Sequence, residues 1–110
     1  MERDYFLRFS IAGFSYYEGA IAFKSLEIGT ILTLKPEPTN TYDKHAIEIY
    51  FNDLKLGYVP KQESRKLSLL LKYGFDKFEP RIQNINMDEH PESQIDIILY
   101  LVQEEAEQKK

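Results

Sequence analysis

The segment AIEIYFNDLKLGYVP, residues 46–60, contains the clearest β-hairpin pattern in the chain and decides its fold class. AIEIYF (46–51) and LGYVP (56–60) consist largely of β-branched, aromatic and other apolar residues, which favour strands. NDLK (52–55), which lies between them, has the polar composition and short length of a tight turn. The segment therefore predicts two antiparallel strands that are neighbours in one sheet.

Four further segments have the composition of strands, and turn residues separate them. They are YFLRFSIAG (5–13), TILTLKP (30–36), FEPRIQNINM (78–87) and QIDIILYLV (94–102). In the first, strict alternation places Tyr5, Leu7, Phe9 and Ile11 on one face. The segment 78–87 does not alternate throughout, which indicates a bulge or bend.

The segment after the hairpin, KQESRKLSLLLKYG (61–74), changes to a helical period. Leu67, Leu70 and Leu71 fall at positions i, i+3 and i+4, so we expect them to form the buried face of a helix. Gly74 occupies the position where a glycine commonly ends a helix. Between the first two strands, residues 14–23 break the alternation and predict a loop or a short helical turn.

About six short strands with frequent turns and one clear helix indicate a small barrel or sandwich. We expect a mainly β fold with one or two helices, arranged as an OB-like, partly open, six-stranded barrel. An α+β sandwich is the alternative. The length of 110 residues allows one domain, predicted over 1–102, followed by a polar tail at 103–110. Residues 88–93 predict a polar turn.

Composition excludes several classes of site. The absence of cysteine excludes a disulfide framework and a thiolate metal site, and His45 and His90 are too far apart for a helical metal-binding pair. The five glycines are scattered and form no phosphate-cradling loop. No catalytic set of side chains stands out, so we expect a protein without enzyme activity, metal or cofactor. The short apolar runs and the charged N-terminus predict a soluble, cytoplasmic protein.

The net charge of −4 counts against a general polyanion binder. The charge is unevenly distributed, because residues 55–81 hold seven basic and three acidic side chains, a net charge of +4. This segment is either a solvated surface or part of a site for an anionic ligand.

The loop before the hairpin, EPTNTYDKH (37–45), has no glycine but holds an Asn, a Tyr, an Asp and a Lys close together. Such a loop is either an unusual turn or a binding site that a turn holds in place. Tyr16, Tyr17 and Tyr42 all fall in predicted loops, where aromatic rings can stack on unpaired bases. They can equally close the end of a barrel.

Three separated motifs resemble the HIRAN domain family. They are IAGFSYYEGA (11–20), LKPEPTNTYDKHAIEIY (34–50) and KLGYVPKQES (55–64). The most specific block is Asn40, Tyr42, Asp43, Ala46 and Ile47. The resemblance implies a modified OB-like barrel that binds single-stranded DNA and captures a free 3′ end. It also implies a link to DNA repair or replication-fork processing, with helicase or nuclease proteins as partners.

The same resemblance implies roles for individual residues. Tyr16 and Tyr42 would stack on terminal bases, and Asp43 would accept a hydrogen bond from the 3′-hydroxyl. Lys61 would face a phosphate, with the backbone of Gly57 and Tyr58 nearby. Further candidates for contact are Ser15, Tyr17, Asn40, Lys44, His45 and Arg65.

Three of these candidates carry a further expectation. Ser15 departs from the basic residue that some DNA-binding members have there. We expect Asn40 to hold the turn, and Tyr17 to contribute more to stability than to binding. The alternative function is a protein or peptide interaction domain that uses the same groove, since tyrosine is also enriched at protein interfaces.

Overall fold

The computed structural model describes residues 3–86 and 94–103, so the predicted turn 88–93 with His90, and residues 104–110 of the predicted tail, lie outside the described residues. The described strands are β1 (Arg3–Ser10), β2 (Thr33–Pro36), β3 (Ile47–Phe51), β4 (Leu54–Tyr58), β5 (Phe78–Ile85) and β6 (Ile95–Val102). The helices are α1 (Gly19–Ala22) and α2 (Lys61–Lys72), and α1 is flanked by the 3₁₀ turns Phe14–Tyr16 and Phe23–Ser25. None of the helices in the described ranges is long and apolar enough to cross a membrane.

The strands form two three-stranded sheets, with the orders β1-β6-β5 and β2-β3-β4. All pairs are antiparallel. Two isolated bridges connect one sheet to the other, Ala12 with Tyr58 and Ile31 with Arg81. Within the described ranges the ladders do not continue into a closed barrel. The prediction of a mainly β fold is confirmed, and the architecture is compatible with both the OB-like and the sandwich alternatives.

The predicted hairpin forms, with a tighter turn than the sequence indicated. Phe51 pairs with Leu54, so only Asn52 and Asp53 lie between the strands, and β4 begins two residues before the predicted position 56. Asn52 has φ 54°, a left-handed conformation that asparagine tolerates. Ile49 pairs with Gly57 and Tyr50 pairs with Lys55, so Leu56 is an extra residue of β4 without a partner in β3.

The core lies between the two sheets and α2. Its fully buried side chains include Ile47, Ile49 and Leu56 from the hairpin, Leu67 from α2, and Ile82, Ile95, Ile97 and Leu99 from the other sheet. Alternation along β6 is as predicted at Ile95, Ile97 and Leu99. The predicted irregularity of β5 is confirmed as a register shift between Ile82 and Asn84.

The predicted buried face of α2 is wrong at Leu70. Leu67 is 1% exposed and Leu71 packs at the edge of the core, but Leu70 is 37% exposed. The buried positions are Ser64, Leu67 and Ser68, which continue to Leu71 in an i, i+3, i+4, i+7 series. Two serines therefore occupy the packed face, and Leu70 lies to one side of it. There it joins an exposed apolar surface with Phe6, Leu69, Tyr73 and Phe75.

The alternation predicted for the first strand also fails at its start. Tyr5 is 62% exposed, although strict alternation would place it on the same face as Phe9 and Ile11, which are buried. The register of β1 on β6 shifts between Tyr5 and Leu7, leaving Phe6 as an extra residue. One extra residue exchanges the two faces of a strand, so Tyr5 points away from the core.

Candidate functional site

The loop between β2 and β3 is a turn that Asn40 holds. The side-chain oxygen of Asn40 accepts hydrogen bonds from the backbone N–H groups of Tyr42, at 2.8 Å, and Asp43, at 2.9 Å. Its side-chain nitrogen donates to Glu37 Oε1 at 2.8 Å. This use of the Asn40 side chain accords with the structural role expected for it. Hydrogen bonds from Asn40 and Tyr58 lower the pKa of Glu37.

Asp43 also stabilises the turn, by accepting hydrogen bonds from the residues that follow it. Its Oδ1 accepts the backbone N–H of His45 at 2.9 Å, and its carbonyl accepts the N–H of Ala46 at 3.0 Å. In residues 3–86 and 94–103 no protein donor contacts the second oxygen, Oδ2, so the half-buried carboxylate keeps acceptor capacity. Beside it, the Tyr42 side chain is 95% exposed.

The turn forms one wall of a cleft of about 470 Å³, which we call the tyrosine cleft. It is lined by Ala12, Tyr17, Asn40, Tyr42, Asp43, Ala46, Tyr58, Val59 and Lys61. Three aromatic rings, one carboxylate and one ammonium group thus face a common space. The lining comes from the turn, the end of β4, the first residue of α2 and the segment after β1.

A half-buried cation, Lys55, lies against two of the aromatic rings. Lys55 Nζ lies 4.3 Å from the ring centroids of both Tyr17 and Tyr58, and the two rings meet edge to face with centroids 5.7 Å apart. Lys55 also forms an ion pair with Glu48 Oε2 at 3.0 Å and donates to the Tyr58 hydroxyl at 2.8 Å. That hydroxyl donates to Glu37 Oε1 at 2.8 Å. The chain of contacts joins the turn to β3 and β4 and orients the wall of the cleft.

The network changes the pKa values of its members. Burial by itself lowers the pKa of Lys55, but hydrogen bonds with Tyr58 and Glu48 outweigh it and raise the pKa above the usual lysine value. Burial raises the pKa of the Tyr58 hydroxyl. Lys55 therefore stays charged and Tyr58 stays neutral at physiological pH.

The structure separates the predicted site residues into groups. Tyr42, Asp43, Tyr58 and Lys61 line the tyrosine cleft, together with the secondary candidates Tyr17 and Asn40. Tyr16 is 76% exposed and does not line it. Ser15 is exposed beside a different small cavity near Phe14 and Phe23. Gly57 is buried and packs against Ala12.

The remaining candidates, Lys44, His45 and Arg65, lie together on the other side of the turn. They line a separate cleft of about 690 Å³, which we call the basic cleft. Its lining is Pro36, Pro38, Lys44, His45, Arg65, Ser68, Leu69, Leu71 and Lys72. The imidazole Nδ1 of His45 lies 2.9 Å from Ser68 Oγ and links the turn to α2.

Sequence reasoning missed Lys55, Glu37 and Glu48 as parts of the site. Lys55 was predicted to lie in the turn of the hairpin, whereas it lies within β4. Glu48 stands between two buried isoleucines, and a charged residue in such a run was the available signal of a buried ion pair. Within the described ranges, no group of three or more His, Cys, Asp or Glu side chains could hold a metal ion.

Comparisons with known proteins agree with this architecture. The model of the HIRAN domain family matches residues 4–102. A protein from Lactobacillus plantarum of known crystal structure has a TM-score of 0.76 at 19% sequence identity, covering 91% of this chain and 95% of that one. The crystal structure of the HIRAN domain of human HLTF has a TM-score of 0.68 at 19% identity, with coverage of 86% and 73%. No curated protein sequence matches the chain.

Proposed function

The chain belongs to the HIRAN domain family, and from that premise we propose that it is a non-catalytic module that binds single-stranded DNA and captures a free 3′ end in the tyrosine cleft. As part of the same proposal, and on the resemblance of its motifs to the family, the module would act in DNA repair or replication-fork processing, with helicase or nuclease proteins as partners. One observation supports this proposal above the others. Stacking surfaces, a hydrogen-bond acceptor and a cation line the same cleft of about 470 Å³.

Each class of group in the cleft has a counterpart at the end of a DNA strand. Aromatic rings stack on bases of any sequence, which suits the exposed ring of Tyr42 and the rings of Tyr17 and Tyr58. The Asp43 carboxylate can accept a hydrogen bond from a 3′-hydroxyl. Lys61, at the first position of α2, supplies a positive charge for a phosphate.

The Tyr42 ring gives a clean test of stacking, because it is almost fully exposed and truncating it should leave the fold intact. We expect Tyr42→Ala to lose about 1–3 kcal/mol of binding to single strands, and Tyr42→Phe to lose little. Fluorescence titration with a labelled oligonucleotide measures both. Tyr5→Ala, which truncates an exposed tyrosine of β1 outside the cleft, is the matched control.

The same titration distinguishes the two adjacent tyrosines. Tyr16 was the predicted stacking residue, but Tyr17 lines the cleft. A loss of binding in Tyr17→Ala that exceeds the loss in Tyr16→Ala would assign stacking to Tyr17. Since Tyr17 also contacts Lys55 and Tyr58, its variant should lose stability as well. Equal damage in Tyr42→Phe and Tyr42→Ala would contradict stacking, because the hydroxyl would then carry the interaction.

Capture of the 3′ end predicts discrimination between terminal groups. A 3′-hydroxyl donates a hydrogen bond to the Asp43 carboxylate, and a bond to a charged acceptor contributes about 1.5–3 kcal/mol. A 3′-phosphate lacks a comparable donor and places negative charge beside the carboxylate. We expect a 3′-phosphorylated strand to bind at least about tenfold more weakly than the 3′-hydroxyl strand. A 5′-phosphate should have little effect.

Asp43→Asn is the sharpest variant for this test. The amide oxygen can still accept the N–H of His45, so the turn is kept while the negative charge is removed. We expect this variant to lose most of the discrimination between the two ends. Equal affinity of the wild type for both ends would rule out end capture and leave Asp43 as a residue that holds the turn.

The second candidate function is binding of a protein or peptide in the same cleft. The aromatic wall formed by Tyr17, Tyr42 and Tyr58 suits an apolar peptide as well as a base. Dependence on salt separates the two, because phosphate binding weakens as salt rises and an apolar peptide responds little.

A further inference from the structure

The basic cleft is lined by cationic and apolar groups. Lys44 comes from the turn, Arg65 and Lys72 come from α2, and His45 lies between them. The apolar part of the lining is Pro36, Pro38, Leu69 and Leu71. No carboxylate is among the lining residues, although the whole chain carries a net charge of −4.

Within the described ranges, the cations that line the basic cleft are not held in ion pairs, unlike two other cations of the chain, Lys55 and Arg81. Lys55 and Arg81 form ion pairs with Glu48 and Glu79. Lys44, Arg65 and Lys72 form no ion pair with any acidic side chain of residues 3–86 and 94–103. Their charge is therefore available to an anionic ligand.

A row of cations on one side of α2 extends from the tyrosine cleft to the basic cleft. Lys61, Arg65 and Lys72 are separated by one and then two helical turns, which places them along one side of the helix. Lys61 lines the tyrosine cleft, and the other two line the basic cleft. At a rise of about 1.5 Å per residue, this row of cations extends over about 16 Å.

A second depression also borders Lys61, but its charge is less favourable to an anion. It is lined by Phe9, Ser10, Ala12, Pro60, Lys61, Gln62 and Glu63. A strand that leaves the tyrosine cleft on this side would pass the carboxylate of Glu63. On the other side it would pass the basic cleft, whose lining has three cations and no carboxylate, so the electrostatics favour that side.

A chain of hydrogen bonds fixes the two walls of the basic cleft to each other. Ser68 Oγ donates to the carbonyl of Arg65 at 3.0 Å. The same oxygen lies 2.9 Å from His45 Nδ1 and shares a hydrogen bond with it. Ser68 is buried and His45 is half-buried, and the link joins the turn that carries Lys44 to the helix that carries Arg65.

We propose that the basic cleft binds the phosphate backbone of the same DNA strand, on the 5′ side of the nucleotides held in the tyrosine cleft. The proposal rests on the proposed function for the position of the 3′ end. Lys61, Arg65, Lys72 and Lys44 then form one continuous path for the backbone, and the apolar groups between them face sugars and bases. This path accounts for a locally basic segment in an acidic chain.

The test uses the double variant Arg65→Gln/Lys72→Gln and a single strand of about 12 nucleotides, a length within the range that such folds cover. Each phosphate contact on a single strand contributes about 0.7 to the magnitude of the salt slope. Loss of two contacts should lower that magnitude by about 1.4 and the affinity at about 0.1 M salt by about 25-fold. Lys66→Gln/Lys77→Gln also removes two positive charges, at exposed lysines outside both clefts, so it controls for net charge.

The outcomes distinguish failure of the path through the basic cleft from failure of 3′-end capture in the tyrosine cleft. If the path is correct, the double variant binds 3′-hydroxyl and 3′-phosphate strands more weakly by the same factor, and the preference for the hydroxyl end is kept. If the wild type shows no end preference but the double variant still loses affinity and slope, the cleft binds polyanions and end capture fails. Wild-type affinity and slope in Arg65→Gln/Lys72→Gln, or an equal loss in Lys66→Gln/Lys77→Gln, would overturn the path. Polyglutamate that displaces the strand at equal charge would assign the cleft to an acidic polypeptide instead.

Discussion

The Lys55→Met variant should lose about 3–5 kcal/mol of the free energy of unfolding, the range for removal of one partner from a buried ion pair. Glu48 is only 8% exposed, and Lys55 is the one cation paired with it among the described residues. Methionine keeps the length and the apolar stem of the side chain, so the loss reports the missing charge. Chemical denaturation followed by circular dichroism measures it.

Two further variants test the cause of this loss. Lys55→Met/Glu48→Gln removes both charges and should recover most of the stability, because no ion is then buried alone. Lys35→Met removes an exposed lysine of the same sheet, whose ammonium lies 5.4 Å from the Tyr50 ring, and should cost no more than about 1 kcal/mol. If Lys55→Met/Glu48→Gln were as unstable as Lys55→Met, the loss in the free energy of unfolding would come from packing and not from the unpaired charge.

The pH dependence of the Lys55 effect follows from its raised pKa. A group whose pKa is higher in the folded state contributes its full stabilisation below the unfolded value, which for lysine is about 10.4. The contribution is lost only as the pH rises through the folded pKa. The difference between wild type and Lys55→Met should therefore stay constant across the neutral range.

Gly57→Ala should lose at least about 3 kcal/mol, because close packing and backbone strain combine at this position. A Cβ atom on Gly57 would lie 2.4 Å from the carbonyl oxygen of Ala12 and 2.6 Å from Ile11 Cγ2. The nearer atom belongs to the backbone and cannot rotate away. In addition, φ is 152°, which side-chain-bearing residues rarely adopt.

Gly57 lies next to a bridge between the two sheets, so this clash should affect the whole fold. The next residue, Tyr58, exchanges two backbone hydrogen bonds of 2.9 Å with Ala12, and that bridge joins the two sheets. Ala12 and Tyr58 both line the tyrosine cleft, so a shift of either backbone also changes the candidate site. We expect Gly57→Ala to reduce oligonucleotide binding together with stability.

Gly74→Ala is the matched control for the Gly57 prediction. Gly74 has φ 95°, but a Cβ atom there would meet nothing within 4 Å. Its variant carries the backbone strain without the clash and should cost about 1 kcal/mol. If the two variants were equally destabilised, backbone conformation alone would explain the effect at Gly57. Thermal unfolding of both variants decides between the two causes.

The sequence by itself determined the features that depend on neighbouring residues. The alternation in 94–102 and the composition of 46–60 predicted β6 and the β3–β4 hairpin, because side chains two apart in a strand share a face. The spaced block of Asn40, Tyr42 and Asp43 predicted the turn, because an Asn side chain bonds backbone groups close to it in the chain. The same motifs carried the resemblance to the family that the comparison confirms.

Only the tertiary structure decided which side of each element faces which neighbour. An extra residue at Phe6 turned Tyr5 outward, and the packing of α2 left Leu70 exposed, since bulges and helix rotation depend on contacts between distant segments. For the same reason the structure placed Tyr17, and not Tyr16, in the cleft, and paired Lys55 with Glu48 across a shifted register. Such contacts join residues far apart in the chain, and local sequence patterns do not encode them.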